Sequence, residues 1–135
     1  MAAIREQDMP AGEQAFSAWR AAALEERARQ TDPLQVNPRL DRRTMAMAVR
    51  FSLFVLERKA PGPGVEVRVA PFSAVKILDG PASDPHNLTP PDVIELDPPV
   101  WLRLATGITT WDEEREAGHI SAVGERDNLS ALLPL

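Results

Sequence analysis

The 135-residue chain has no cysteine, which excludes disulfides, thiolate zinc sites, iron-sulfur clusters and a cysteine nucleophile and removes any sign of an oxidising compartment. Histidine is nearly as scarce. His86 and His119 stand in different segments without the close pairing a metal site needs, so no metal is expected. His86 reads as a solvated loop residue and His119 as a strand-start residue paired with a neighbour. Lysine is limited to Lys59 and Lys76, no basic patch stands out, and the formal net charge is -5. A chain of this charge, with a pI near 5.0, lacks the clustered cations that displace counterions from nucleic acid, so nucleic acid is not an expected partner. No run approaches the roughly 18 apolar residues of a membrane span, and integral membrane association is not expected. Residues 1–10 carry Arg5, Glu6 and Asp8 without an apolar stretch, unlike a signal peptide. The expected location is the cytoplasm. No phosphate loop or dinucleotide fingerprint occurs, and no cofactor is expected.

What is present is the composition of a soluble globular protein, 44% hydrophobic and 26% charged, long enough for one unstapled core. Thirteen prolines punctuate it into short elements. Residues 12–29 are alanine-rich, with Phe16, Trp19 and Ala23 on one helical face. A proline-bearing connector follows, and a second helix begins near Asp41 and runs to Lys59. Met45, Met47, Val49, Phe51, Leu53, Phe54, Val55 and Leu56 cover most of its circumference, leaving a narrow polar stripe through Arg43, Arg50 and Glu57. A helix apolar nearly all round is covered on several sides. Pro61-Gly62-Pro63-Gly64 reads as a stiff connector that ends it.

Period-two alternation then predicts strands over residues 65–70 and 72–78, joined as a hairpin, with further strands over 92–96 and 119–124 and a loop over 79–91. Two short helices lie between the last two strands. Asp97, Pro98 and Gly107 bound the first, and Thr110-Trp111-Asp112-Glu113 predicts a capping box for the second, which Gly118 closes. The acidic run Asp112, Glu113, Glu114 and Glu116 reads as charge on an exposed first turn, and Trp111 beside it is expected to be more exposed than Trp101. A last helix is predicted from about Asp127, presenting Leu129, Leu132 and Leu133.

The C-terminal third carries a more specific pattern. Asp92-Val-Ile-Glu-Leu-Asp-Pro-Pro-Val-Trp-Leu-Arg-Leu-Ala-Thr-Gly107, then Trp111, Ala117-Gly118-His119-Ile120, Gly124 and terminal leucines, resembles the type-two sterol carrier protein family. Pro63, Val65, Val67, Val69, Pro71, Phe72 and Val75, with Thr89-Pro-Pro-Asp-Val93, are similar to its compact actinobacterial branch of bacterial sterol carrier orthologues. The resemblance covers roughly residues 41–135 and implies an α+β fold: a small, mostly antiparallel sheet of about four to five strands covered on one face by helices. It divides the chain into an N-terminal helix and connector (1–38) and a sterol-carrier-like domain (39–135).

The resemblance further implies a non-enzymatic carrier of a fatty acyl or sterol-like molecule, held in an apolar tunnel between sheet and helices. Met47, Phe51, Phe54, Phe72, Trp101, Leu132 and Leu133 are the candidate lining; as large apolar residues at helical spacing they equally suit a packed core. The proline-rich loop and short strands predict a small or side-chain-filled cavity. The alternative is a protein-interaction or accessory domain, a homodimer or an enzyme's partner with no small ligand, in which residues 12–29 dock through Phe16 and Trp19. Catalysis is not expected, because no nucleophile, base and oxyanion donor can be assembled from neighbouring residues.

Overall fold

The computed structural model describes residues 3–80, 92–124, 126 and 128–135. The predicted positions of His86, of most of the loop over 79–91 and of the start of the last helix at Asp127 lie outside the described residues. Helix α1 is Met9–Arg29, with Pro10 in its first turn, where a missing N–H costs nothing. Its buried face is Gly12, Ala15, Trp19 and Ala23; of the predicted stripe it keeps Trp19 and Ala23, while Phe16 is half-buried beside it. Helix α2, Arg42–Lys59, starts where the Asp41 carboxylate accepts hydrogen bonds from the Thr44 backbone N–H and hydroxyl, both at 2.8 Å. These bonds hold the Asp41 carboxyl below its ordinary pKa. As its composition requires, α2 is covered on several sides, packing against α1, the sheet and the next helix.

Among the described residues the sheet has four strands, in the order β2-β1-β3-β4. Strand β1 is Pro61–Val69 and β2 is Ser73–Ile77. The Pro-Gly-Pro-Gly segment is therefore not a free connector: Pro61 and Val65 both pair with Ile77 across a bulge, which lets a proline-rich start join the ladder. Strand β3, Asp92–Leu96, runs parallel to β1, with Val67 opposite Ile94, while β4, Ile120–Val123, returns antiparallel to β3. The fold is thus α+β with a mixed, mostly antiparallel sheet. Val65, Val67, Val69, Val75, Ile77, Ile94 and Leu96 are buried. Their alternates Glu66, Arg68, Lys76 and Glu95 form the other face, where Arg68 bridges Glu66 and Glu95.

Helix α3 is Pro98–Thr106 and ends in Gly107 at φ +78°, a left-handed conformation natural to glycine. Asp97 occupies its N-cap position, yet its carboxylate makes no cap bond. Pro99, at the second helical position, has removed one of the two N–H groups such a cap could serve. Helix α4, Trp111–Glu116, has the predicted capping box, Glu113 N–H to Thr110 Oγ1 at 3.2 Å and Thr110 N–H to Glu113 Oε1 at 2.9 Å. The predicted terminal helix is instead a single 3-10 turn, Ser130–Leu132. Pro134 disfavours a helical Leu133, and the tail is held by other bonds: Lys59 Nζ donates to the Leu132 carbonyl at 2.7 Å and Leu135 N–H to the Ala105 carbonyl at 3.0 Å.

Candidate functional site

The seven candidate lining residues all belong to or pack against one core, but at different depths. Met47 on α2 is 5% exposed and Trp101 on α3 is fully buried. The indole N–H of Trp101 donates to Ser52 Oγ at 2.8 Å, and that hydroxyl donates onward to the carbonyl of Ala48 or Val49 within its own helix. One polar chain thus closes the α2–α3 seam with its groups satisfied. Phe51, Phe54, Phe72, Leu132 and Leu133 are half-buried. Phe51 faces α1, its ring 6.0 Å from that of Phe16. Phe54 lies beneath the Arg58 guanidinium at 5.7 Å, and Phe72, in the β1–β2 turn, beneath that of Arg42 at 5.5 Å. Leu132 and Leu133 belong to the tail strapped by Lys59.

The aromatic residues divide sharply by burial. All three tryptophans are buried, whereas all four phenylalanines are half-buried. In four clefts among the described residues, Phe72 is the only candidate lining residue that takes part, in a shallow depression of about 280 Å³ beside Pro71. Beneath α2 the described core is made of buried side chains that include Val49, Leu53, Leu56, Val65 and Val67.

A second cluster, polar and buried, was not legible as such. Glu114 is fully buried and accepts hydrogen bonds from Arg103 Nε at 2.7 Å, Arg103 Nη2 at 3.0 Å and Thr109 Oγ1 at 2.7 Å, with His119 Nδ1 also at 2.7 Å. Arg103 completes its fork by donating from Nη1 to the Val36 carbonyl at 3.0 Å. Burial pushes the Glu114 carboxyl pKa up, but bonds from Arg103, His119 and Thr109 outweigh it and hold the group below its ordinary value. One expectation is corrected here and a second is narrowed. Glu114 is not on an exposed acidic turn, because the capping box turns Glu113 outward and Glu114 inward toward Arg103. Trp111 is more open than Trp101 only marginally, 3% against 0% exposed, and is buried as well, since it shares that inward face. The available signal was Arg103 itself, a lone cation within the apolar run Val100 to Ala105 of α3. His119 does pair with a neighbour, as its position suggested. The expectation that α1 docks through Trp19 is also corrected, because Trp19 is fully buried; Phe16 stays half-buried beside Phe51.

Among the described residues no three His, Cys, Asp or Glu side chains converge as metal ligands, and no helix is long and apolar enough to cross a membrane. Residues 41–135 match the family described as bacterial SCP ortholog. The chain belongs to this sterol-carrier-like family. The matched region runs from the N-cap of α2 to the C-terminus and so contains the whole sheet, α3, α4 and every candidate lining residue. Helix α1 and the connector lie outside it. No curated protein matches the chain. The bacterial SCP ortholog fold therefore supplies the sheet and its helical cover, with α1 added against α2.

Proposed function

We propose that the protein is a non-enzymatic, cytoplasmic carrier of an apolar molecule of the fatty acyl or sterol-like class, with residues 39–135 as the carrier unit and 1–38 as an added cover. Its observation is the aromatic division: in a sterol-carrier-like chain, the tryptophans pack the rigid interior and the phenylalanines stand half-open around it. Phe51, Phe54 and Phe72, with Leu132 and Leu133, are the movable lining; Met47 and Trp101 form the floor beneath them. Binding then requires the lining to part rather than the ligand to enter an open hole. Each methylene that replaces water contact by these side chains contributes about 0.8 kcal/mol, so a long acyl chain suffices to offset the repacking.

Titration of a fluorescent fatty acid into the wild type and Phe54→Asp tests the reading. The expected result is saturable binding that the substitution weakens by at least tenfold. Saturable binding by neither, or equal binding by both, overturns it. The burial of Met47 and Trp101 within the core favours a second reading, an accessory domain that associates with another protein or a second copy. Native mass spectrometry of protein purified from its own host separates the two, since the first predicts a co-purifying lipid and the second an oligomer free of lipid.

A further inference from the structure

The carrier reading leaves His119 unused. Its ring is held at Nδ1 by Glu114, a carboxylate that is itself fixed by three bonds from Arg103 and Thr109. Glu114, held below its ordinary pKa, is ionised at neutral pH, and an ionised carboxylate only accepts hydrogen bonds. Nδ1 is therefore the protonated nitrogen, and in the neutral ring Nε2 carries a lone pair. The side chain is 37% exposed, so only one part of this buried chain of bonds reaches solvent. It does so in a cleft of about 380 Å³ where the ends of β1, β3 and β4 meet, within the size range of small-molecule sites.

The polar wall of that cleft includes Arg68, Glu95, Asp97, His119 and Ser121. Arg68, the one permanent cation among its described residues, already serves Glu66 and Glu95 at 3.2 Å. The Asp97 carboxylate makes no bond to the helix it precedes, unlike Asp41 and Thr110 at theirs. The wall therefore offers acceptors in excess: an unspent carboxylate, a partly neutralised one and an oriented imidazole lone pair. A carboxylate or phosphate finds repulsion there. A primary ammonium group, with three N–H donors and a positive charge, matches the set.

We propose that this cleft binds a small free primary amine, with Asp97 as counter-ion and His119 Nε2 as the orienting acceptor. Arg103 and Glu114 are positioning residues, acting only through the imidazole. The site is independent of the carrier reading, because it lies at the end of the sheet's polar face and shares none of the seven apolar lining residues.

The test is nitrogen-15 NMR of the histidine rings at pH 8, with ethanolamine as probe and sodium acetate as control at equal ionic strength. Ethanolamine is expected to shift the His119 ring signals saturably and acetate to leave them in place. Asp97→Asn, at an exposed position without a cap bond, leaves the fold intact and should weaken binding at least tenfold. His119→Gln, followed by the backbone signals of residues 118–121, should do likewise. A non-saturable ethanolamine response, an equal response to acetate, or undiminished affinity in Asp97→Asn overturns the proposal.

Discussion

Replacing Trp101 tests the packing of the helical layer against the sheet, and the structure lets its cost be divided. The side chain is fully buried, so Trp101→Ala loses a large apolar area and opens a cavity, for a total of about 3 to 5 kcal/mol. Trp101→Phe keeps much of the apolar contact and removes the indole donor. Ser52 loses an incoming bond but still donates to its own helix at 2.8 Å, so no buried donor is orphaned on that side. The hydrogen-bond part is then about 0.5 to 1.5 kcal/mol. Ser52→Ala reverses the situation by leaving the indole N–H buried and unpaired, at a cost of about 1 to 3 kcal/mol. The double variant Trp101→Phe/Ser52→Ala should therefore lose less than the two single variants added together. Trp111 is the control: it is as buried, but its indole N–H has no partner among the described residues, so Trp111→Phe should cost less than Trp101→Phe. Urea melts at constant m-value give all of these differences. Additive losses in the Trp101/Ser52 pair, or a Trp111→Phe variant more damaged than Trp101→Phe, would refute the assignment of that seam.

Breaking the Arg103–Glu114 pair from one side, by Arg103→Met, should cost about 3 to 5 kcal/mol, whereas Arg103→Met/Glu114→Leu should recover much of it, as read by the same melts. Because the folded Glu114 carboxyl lies below its ordinary value of 4.5, its contribution is fully present above that pH and is lost as pH falls through the folded value; acid titration of stability should show a steeper fall below about pH 4.5 in the wild type than in Glu114→Gln. Gly12→Ala should destabilise by about 1 to 3 kcal/mol in thermal or urea melts, since an added Cβ would lie 2.9 Å from the Phe51 Cβ and 2.6 Å from the Ile4 methyl.

Much of this arrangement could be read from local signals. The caps at Asp41 and Thr110, the stop at Gly107 and the valine alternation of β1 each depend on a few neighbouring residues, and each lies where its pattern placed it. What was missed depends on residues distant in sequence. The parallel pairing of β1 with β3 leaves no mark within either strand. The burial of Glu114 depends on Arg103, eleven positions away on another helix, and a local count of acidic residues favours the surface. The terminal helix failed because Pro134 and the bonds to Lys59 and Ala105 outweigh a leucine spacing. Of the candidate site, periodicity identified large apolar residues correctly, but it cannot tell a half-open phenylalanine from a sealed tryptophan.

The bond from Arg103 to the Val36 carbonyl bears on how this protein is bounded. The family's shared stretch starts at residue 41, yet a guanidinium inside that stretch finds its last acceptor five residues before it. Trp19, Ala23 and Val36, all fully enclosed, come from the same preceding segment. The family match and the packing therefore draw different borders here: the matched stretch is shorter than the core that its side chains join. A chain cut at the family border would keep every strand and lose the seal over α2, with an arginine left facing the gap.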